Sequence, residues 1–519
     1  MRRRKIITIS VVVILAFSLI VNIGFLKSSQ QLNLESLKWA VKSQFIKYEE
    51  IKNGKIKLIT HKNGGMDYSE FLGKNQIQNQ KELIRTIGPT FSIFGLAEGA
   101  GFAGLPKGLP KTIAKCATRL KLDENLYFTD EANFEGKKVY VFYQGDVTTN
   151  SLSGSLIPLN SCEIQGRYRV QKSVMSWILS EQVDTDLKLE QLPAHFAQND
   201  QNNFVIVTRL GEICQLHNQK RNRAKLGCSK TVIGFSDSQK HTHFGVKSVL
   251  LEGTDLYIAY AINNQNCNRL EIKKLTLNQD SIDDQTVQLI YHSPGCFNSE
   301  TTELNAVGGR MMFSDKTKKK ITFSLGNAEI WTGLETIKPK KKYGNLLELD
   351  LQTNQVQVIS SGHRNPQGIC KFGSTLYSSE QGPDGGDELN LVLQGQNYGW
   401  PSESYGMAYG EFVSDAVENR SFGSHNTYTK PLISWVPALA VGDLICPSNK
   451  IEGAWSKNFI LATLKDNSLR RMVLDDGSIR VDERIPLGTR IRDILVDGEG
   501  RLLAFTDNAS IIKMKLIDR

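Results

Sequence analysis

Four short groups of residues in the chain could handle an anionic ligand or a hard cation. Arg364 and Asn365 stand directly ahead of Pro366. A proline restricts the residue before it, so a cation and an amide are presented on a fixed turn suited to an anionic, carbonyl-rich ligand. A salt bridge within the scaffold is the alternative for Arg364. In Gln381-Gly382-Pro383 the glycine allows close backbone approach and the proline has no donor. Carbonyl oxygens are thereby left to meet a cation of the Ca²⁺ type, although such a dipeptide is often only a turn. Arg490 and Arg492 are two residues apart, so on a strand they point to one side, as a clamp on carboxylates requires; an exposed strand face gives the same spacing. Lys465 supplies another cation in the same C-terminal stretch. The lone C-x-x-H, Cys214 with His217, lacks the second pair that a zinc site needs.

The run from Gly362, GHRNPQGIC, followed by SSEQGPDGGDELNLVLQGQNYGWP up to Pro401, closely resembles the signature of the soluble glucose/sorbosone dehydrogenases. These are six-bladed β-propellers that use pyrroloquinoline quinone (PQQ) and Ca²⁺. Weaker similarity extends from about Asn203 to Lys515, and none covers the first 185 residues. The resemblance implies that the carbonyls of Gly382 and Pro383 hold a catalytic Ca²⁺ against the quinone. It implies further that Arg364, Asn365, Lys465, Arg490 and Arg492 surround the cofactor, with Trp435 near the pocket. Glu388 and Tyr398 match positions that bind a second, structural Ca²⁺ in some relatives. The expected substrate is a small sugar or alcohol, with an electron acceptor that the sequence does not name.

One position departs from the family pattern. Sugar oxidation needs a base to take the hydroxyl proton as hydride leaves carbon, a role suited to histidine near neutral pH. In the family this histidine lies four residues before the arginine of an H-x-G-G-R-like motif. The matching segment here is Asn305-Ala306-Val307-Gly308-Gly309-Arg310, which puts Ala306 at that position. His243 is a possible substitute. Two functions follow as expectations: a PQQ/Ca²⁺-dependent aldose dehydrogenase with an altered base, or a non-catalytic propeller that binds a cofactor, carbohydrate or protein.

The elements that must position these residues follow a consistent rhythm. Beyond about residue 185, short runs rich in Val, Ile, Leu, Phe and Tyr alternate with Gly, Asp and Asn clusters. Examples are Phe204 to Thr208 with Glu212 to Leu216, Ser248 to Leu251 with Leu256 to Tyr260, and Leu346 to Leu351 with Val356 to Ser360. The rhythm predicts an all-β unit over about 190–519, either a propeller of about six four-stranded blades or a pair of β-sandwiches. Residues 27–185 read as a separate mixed α/β domain that includes an amphipathic helix near Leu34 to Tyr48.

Ahead of it, Arg2 to Lys5 precede the uncharged run Ile6 to Leu26, which predicts a single membrane anchor over 1–26 with the remainder exported; a cleaved signal is the alternative. Eight cysteines suit an exported chain, and sequential pairing is attractive: Cys116 with Cys162, Cys214 with Cys228, Cys267 with Cys296, Cys370 with Cys446. The net charge of +9 comes from dispersed positives without a basic, aromatic-interleaved face, so no nucleic-acid partner is expected.

Overall fold

A computed structural model describes residues 76–77, 105 and 109–518, apart from short internal stretches, of which 230–243, 296–305, 328–342 and 408–420 are the longest. The expected anchor, the expected helix near Leu34 and His243 lie outside the described residues. Among the described residues no helix is long and apolar enough to cross a membrane.

The chain first builds an N-terminal sheet. It comprises β1 (Gln76–Ile77), β2 (Leu126–Phe134), β3 (Lys137–Asp146), β4 (Ser151–Pro158), β5 (Gly166–Lys172) and β6 (Ser176–Thr185), with helix α1 (Lys111–Arg119) packed on it. Six sheets follow. Sheet I holds β7 (His195–Gln198), β8 (Phe204–Val207), β9 (Ile213–Lys220) and β10 (Arg223–Cys228). Sheet II holds β11 (Gly245–Glu252), β12 (Asp255–Asn264), β13 (Cys267–Asn278) with the short β14 (Ser281–Ile282) at its end, and β15 (Gln288–His292). Sheet III is β16 (Gly308–Phe313), β17 (Lys320–Leu325), β18 (Asn345–Asp350) and β19 (Val356–Ser361). Sheet IV is β20 (Pro366–Phe372), β21 (Thr375–Glu380), β22 (Asp387–Val392) and β25 (Ile433–Trp435), the small pair β23 (Glu403–Ser404) and β24 (Ser421–Phe422) lying in the connection. Sheet V is β26 (Val441–Ile445), β27 (Phe459–Thr463), β28 (Ser468–Asp475) and β29 (Ser478–Pro486). Sheet VI contains β30 (Ile491–Val496), β31 (Leu502–Thr506) and β32 (Ser510–Asp518).

The inner strands β7, β11, β16, β20, β26 and β30 touch in that order, and β30 returns to β7. The sheets therefore form a closed ring, a six-bladed propeller and not two sandwiches, and radial packing leaves each blade only a short outer edge. Buried apolar residues fill the gaps between neighbours. Phe323, Leu270 and Val307 lie between sheets II and III, Leu461, Leu389 and Phe459 between IV and V, and Phe505, Ile206 and Phe196 between VI and I.

Sheet VI takes its fourth strand from the N-terminal side: β6 pairs along all of β32, from Ser510↔Asp184 to Asp518↔Ser176. The strand just ahead of the boundary expected near 185 is thus part of the ring, and the N-terminal sheet continues directly from the sixth blade. The pattern of turns also holds locally. Between β18 and β19, Asp350 Oδ1 accepts from the backbone N–H groups of Gln352 and Thr353 at 2.9 and 3.0 Å, and Asn354 takes a positive φ of 56°. Three expected disulfides are present, Cys116–Cys162, Cys214–Cys228 and Cys370–Cys446; Cys296 of the fourth lies outside the described residues.

Candidate functional site

Each of five inner strands breaks register near its start: between Val246 and Ser248, Gly308 and Met311, Pro366 and Gly368, Val441 and Leu444, and Ile491 and Asp493. A bulge re-aims the side chain that it carries. The residues so displaced include Lys247, Arg310, Gln367, Asp443 and Arg492. Gly309 shows how tight this zone is, because a Cβ there would lie 2.6 Å from Cβ of Lys247 and its φ is +95°.

These residues meet across the ring. Arg310 of sheet III reaches Asp493 of sheet VI, on the opposite side, at 2.8 Å (Nη2 to Oδ1), and Asp443 of sheet V at 3.6 Å. His195 of sheet I contacts the other Asp493 oxygen at 2.8 Å, and Arg310 Nε donates to the Gln367 carbonyl at 2.7 Å. Burial opposes ionisation of Asp493, but His195 and the Arg310 guanidinium hold it well below the usual carboxylate range. Asp443 goes the other way, pushed up by burial and by the second carboxylate despite Arg310. Burial likewise lowers His195 although Asp493 opposes it. The Lys247 amine is brought down to about 7 by burial, with Arg492 and Arg209 adding to the effect. Sequence reading missed this ring, because its members sit at long, unequal intervals. The available signal was a charged residue interrupting the first apolar run of each blade, as in Gly245-Val246-Lys247 and Val441-Gly442-Asp443.

The strand starts are also joined at one end of the ring. Asn365 Oδ1 accepts from the Gly308 N–H at 3.2 Å and its Nδ2 donates to Gln381 Oε1 at 3.2 Å, while Gln381 Nε2 donates to the Val441 carbonyl at 2.8 Å. Asp387 accepts from the N–H of Gly382 at 3.0 Å and of Val441 at 3.1 Å, and burial raises its carboxyl. Lys465 is exposed and tied to the same end through its N–H, which donates to the Leu439 carbonyl at 3.0 Å. Arg490 and Arg492 lie at the start of β30 and share one carboxylate, Asp507, at 2.9 Å each. The expectation that they face one side is met. Arg364, Lys465, Arg490 and Arg492 therefore all stand at one mouth of the channel.

Arg364 is buried and directs Nη1 to the carbonyls of Gln381 and Gly382 at 2.9 and 2.5 Å, with its guanidinium 5.4 Å from the Trp400 ring centroid. Two backbone oxygens thus already converge on a cation in this corner. Gly382 is needed for the turn, since a Cβ there would come within 2.3 Å of the Gly385 carbonyl oxygen. Ala306 and Val307 precede β16 at 1% exposure each, an apolar strand start.

Three further expected site residues make the following contacts within the protein. Trp435 is packed in the core between sheets IV and V and donates its indole N–H to Asp482 at 2.8 Å. Tyr398 stacks on His363 with centroids 4.7 Å apart, and its hydroxyl accepts from the Leu393 N–H at 2.9 Å and donates to the Leu391 carbonyl. Glu388 lies 3.5 Å from His425 and 3.3 Å from Asn390, and burial raises its carboxyl. Asn390 also donates to Glu380 at 2.8 Å, which accepts from the Arg364 N–H at 2.8 Å. Glu388 and Tyr398 take part in buried contacts next to 396–407 and 421–428, the described parts of this connection. Among the described residues no cluster of three or more His, Cys, Asp or Glu side chains is placed to hold a metal.

Comparison with known proteins agrees with this architecture. A solved structure of the soluble aldose sugar dehydrogenase from Escherichia coli, 22% identical, covers 66% of this chain and 100% of its own with a TM-score of 0.53. A glucose dehydrogenase structure gives 20% identity, 64% and 98% coverage, and a TM-score of 0.53. Among curated proteins, the uncharacterized protein slr1608 of Synechocystis sp. is 32% identical over 164 residues, 31% of this chain and 39% of its own. The aldose sugar dehydrogenase YliI of Escherichia coli is 30% identical over 170 residues, 32% and 45% of the two chains. Quinoprotein glucose dehydrogenase B of Acinetobacter calcoaceticus is 26% identical over 209 residues, 30% and 44%. Each of these sequence matches spans less than half of the relative. The family model for glucose/sorbosone dehydrogenase matches residues 191–513, and the chain belongs to that family.

Proposed function

We propose that the channel mouth is a PQQ pocket of an aldose dehydrogenase-like protein, exported and tethered by the apolar run Ile6 to Leu26. The observation that carries this reading is the placement of Arg364, Lys465, Arg490 and Arg492 at one mouth, where Arg490 and Arg492 share one carboxylate, Asp507. A cofactor bearing three carboxylates suits such a surplus of positive charge, and the paired arginines already show that they can meet one carboxylate together. The carbonyls of Gly382 and Pro383 would hold a hard cation of the Ca²⁺ type, with Arg364 turning from the Gly382 oxygen to the cofactor; Ca²⁺ there would draw further ligands from the cofactor. PQQ, when bound, supplies the two-electron acceptor. The chain's own residues hold it by charge, fix its face against the rim, and close the channel behind it through Arg310.

The proton step is where this chain differs. Ala306 has no group that accepts a proton, and general bases typically contribute two to four orders of magnitude in rate. Turnover is therefore expected to be slow. The buried apolar start at Ala306 and Val307 is what favours the second reading, a propeller that retains the pocket for binding alone.

The test is reconstitution with PQQ and Ca²⁺, followed by dye reduction across a panel of aldoses. Ala306→His is expected to raise the rate by up to about 10²- to 10⁴-fold over the wild type. A variant that binds PQQ normally and gains nothing with any sugar would overturn the dehydrogenase reading in favour of binding alone.

A further inference from the structure

The N-terminal sheet presents two contrasting halves on one face. Tyr140, Phe142 and Ile157 lie under α1, packed with Ile113, Cys116 and Ala117. Strand register carries the same face on to polar residues: Gln144↔Ser153, Ser153↔Arg169 and Arg169↔Ser180 form one cross-strand row. Ser155↔Arg167 begins the next row, with Gln182 opposite Ile512 further along it. The helix does not cover these rows. They line a cavity of about 1290 Å³, walled on its other side by the turn after α1 at Leu120 and Lys121 and by the disulfide-held loop at Cys162 to Ile164.

The chemistry of this wall is consistent. Four cations, Lys121, Arg167, Arg169 and Arg223, outnumber two carboxylates, Glu163 and Asp184, and between them stand hydroxyls and amides together with Ile164, Tyr168 and Ile512. A strand that alternates Arg167 and Arg169 places both guanidiniums on the same side. Arg169 is held by the Leu487 carbonyl at 2.9 Å, so it is fixed in the floor and not swinging in solvent. Burial works against its charge, and Asp146 acts in the opposite sense. The volume of this cavity exceeds the roughly 300–1,000 Å³ of an ordinary small-molecule site. Hydroxyl and amide partners along a trough with carboxylate-binding forks describe a chain of sugars that carries acids.

We propose that this cavity binds an acidic oligosaccharide, its uronate carboxylates on Arg167, Arg169 and Arg223 and its hydroxyls on Ser153, Ser155 and Gln144. The site lies almost wholly outside residues 191–513, so it stands or falls independently of the channel mouth.

Calorimetric titration of the full-length protein with oligogalacturonides of about four to six units, against neutral malto-oligosaccharides of equal length, tests it. Binding of the acidic chains at least about tenfold tighter than of the neutral ones is expected. Arg167 and Arg223 are exposed, so Arg167→Ala with Arg223→Ala should leave thermal unfolding unchanged while weakening the acidic ligand by about tenfold per arginine. Asp184→Asn, which removes a negative charge from the rim, should tighten it severalfold. Equal binding of acidic and neutral chains, no binding of either, or an affinity that none of these variants moves would overturn the proposal.

Discussion

The rim of sheets IV to VI and the rim of sheet III use one device, a strand start followed by a bulge, and fill it with opposite chemistry. On the first, Arg364 meets backbone carbonyls, Arg490 and Arg492 share one carboxylate, and Lys465 is exposed. On the second, Ala306 and Val307 are apolar and buried, and Val307 belongs to the core between sheets II and III. Groups that would grip a ligand and groups that would move its proton therefore stand on different blades. Because each blade contributes its strand start separately, one chemistry can change while the other is kept. What ties the two rims together is Arg310, which follows Ala306 in sheet III and reaches Asp443 and Asp493 in sheets V and VI.

Breaking that tie should have the largest effect on the fold. Arg310→Met leaves Asp493 and Asp443 buried without their shared cation, and removing one partner of a buried pair costs about 3–5 kcal/mol. Urea titration should show the midpoint fall accordingly with little change in slope; an unchanged midpoint would mean that the ring does not hold the two rims together.

A smaller effect sharpens the contrast on the sheet II side. Lys247 is partly accessible from the channel, yet its amine sits near about 7 in the folded chain against about 10.4 in an unfolded one. Between these values the unfolded state binds more protons, so stability should rise with pH from about 7 to 10, by at most about 1.4 kcal/mol per pH unit. Lys247→Met should be the more stable protein near pH 7 and should lack that rise. Parallel stability curves for the two proteins would show that the amine is not desolvated in the channel.

Much of this was legible in the sequence. Local alternation located the hairpins, as in Leu251↔Leu256 joining β11 and β12, because a half-buried strand writes its two faces in adjacent letters. The cysteine order gave three pairs, one within the N-terminal sheet and its helix and two within the ring, at Cys214–Cys228 and Cys370–Cys446. The arginines at 490 and 492 were legible from their spacing, and the carboxylate of Asp507 brings them together across the bulge at Arg492. Closure by β6 was not, as the partner of Ser510 to Asp518 lies more than three hundred residues earlier and nothing local marks it. The Arg310 ring was equally hidden, because contacts across a channel follow from the number of blades. Trp435, Glu388 and Tyr398 were read as site residues from the family resemblance alone; in the structure their polar atoms meet Asp482, His425 and Asn390, and the turn after β22, contacts that no local pattern marks.

The central claim is that the mouth at Arg364, Lys465, Arg490 and Arg492 holds PQQ through a Ca²⁺-dependent, carboxylate-directed contact. Calorimetric titration of the protein with PQQ, with Ca²⁺ and then with a chelator, measures it directly, alongside Arg490→Ala. Arg490 is half exposed and Asp507 keeps Arg492 in that variant, so the fold is expected to stand. The account predicts binding that the chelator abolishes and that Arg490→Ala weakens by about tenfold. Binding of equal strength with and without Ca²⁺, or an Arg490→Ala affinity equal to the wild type, would contradict it.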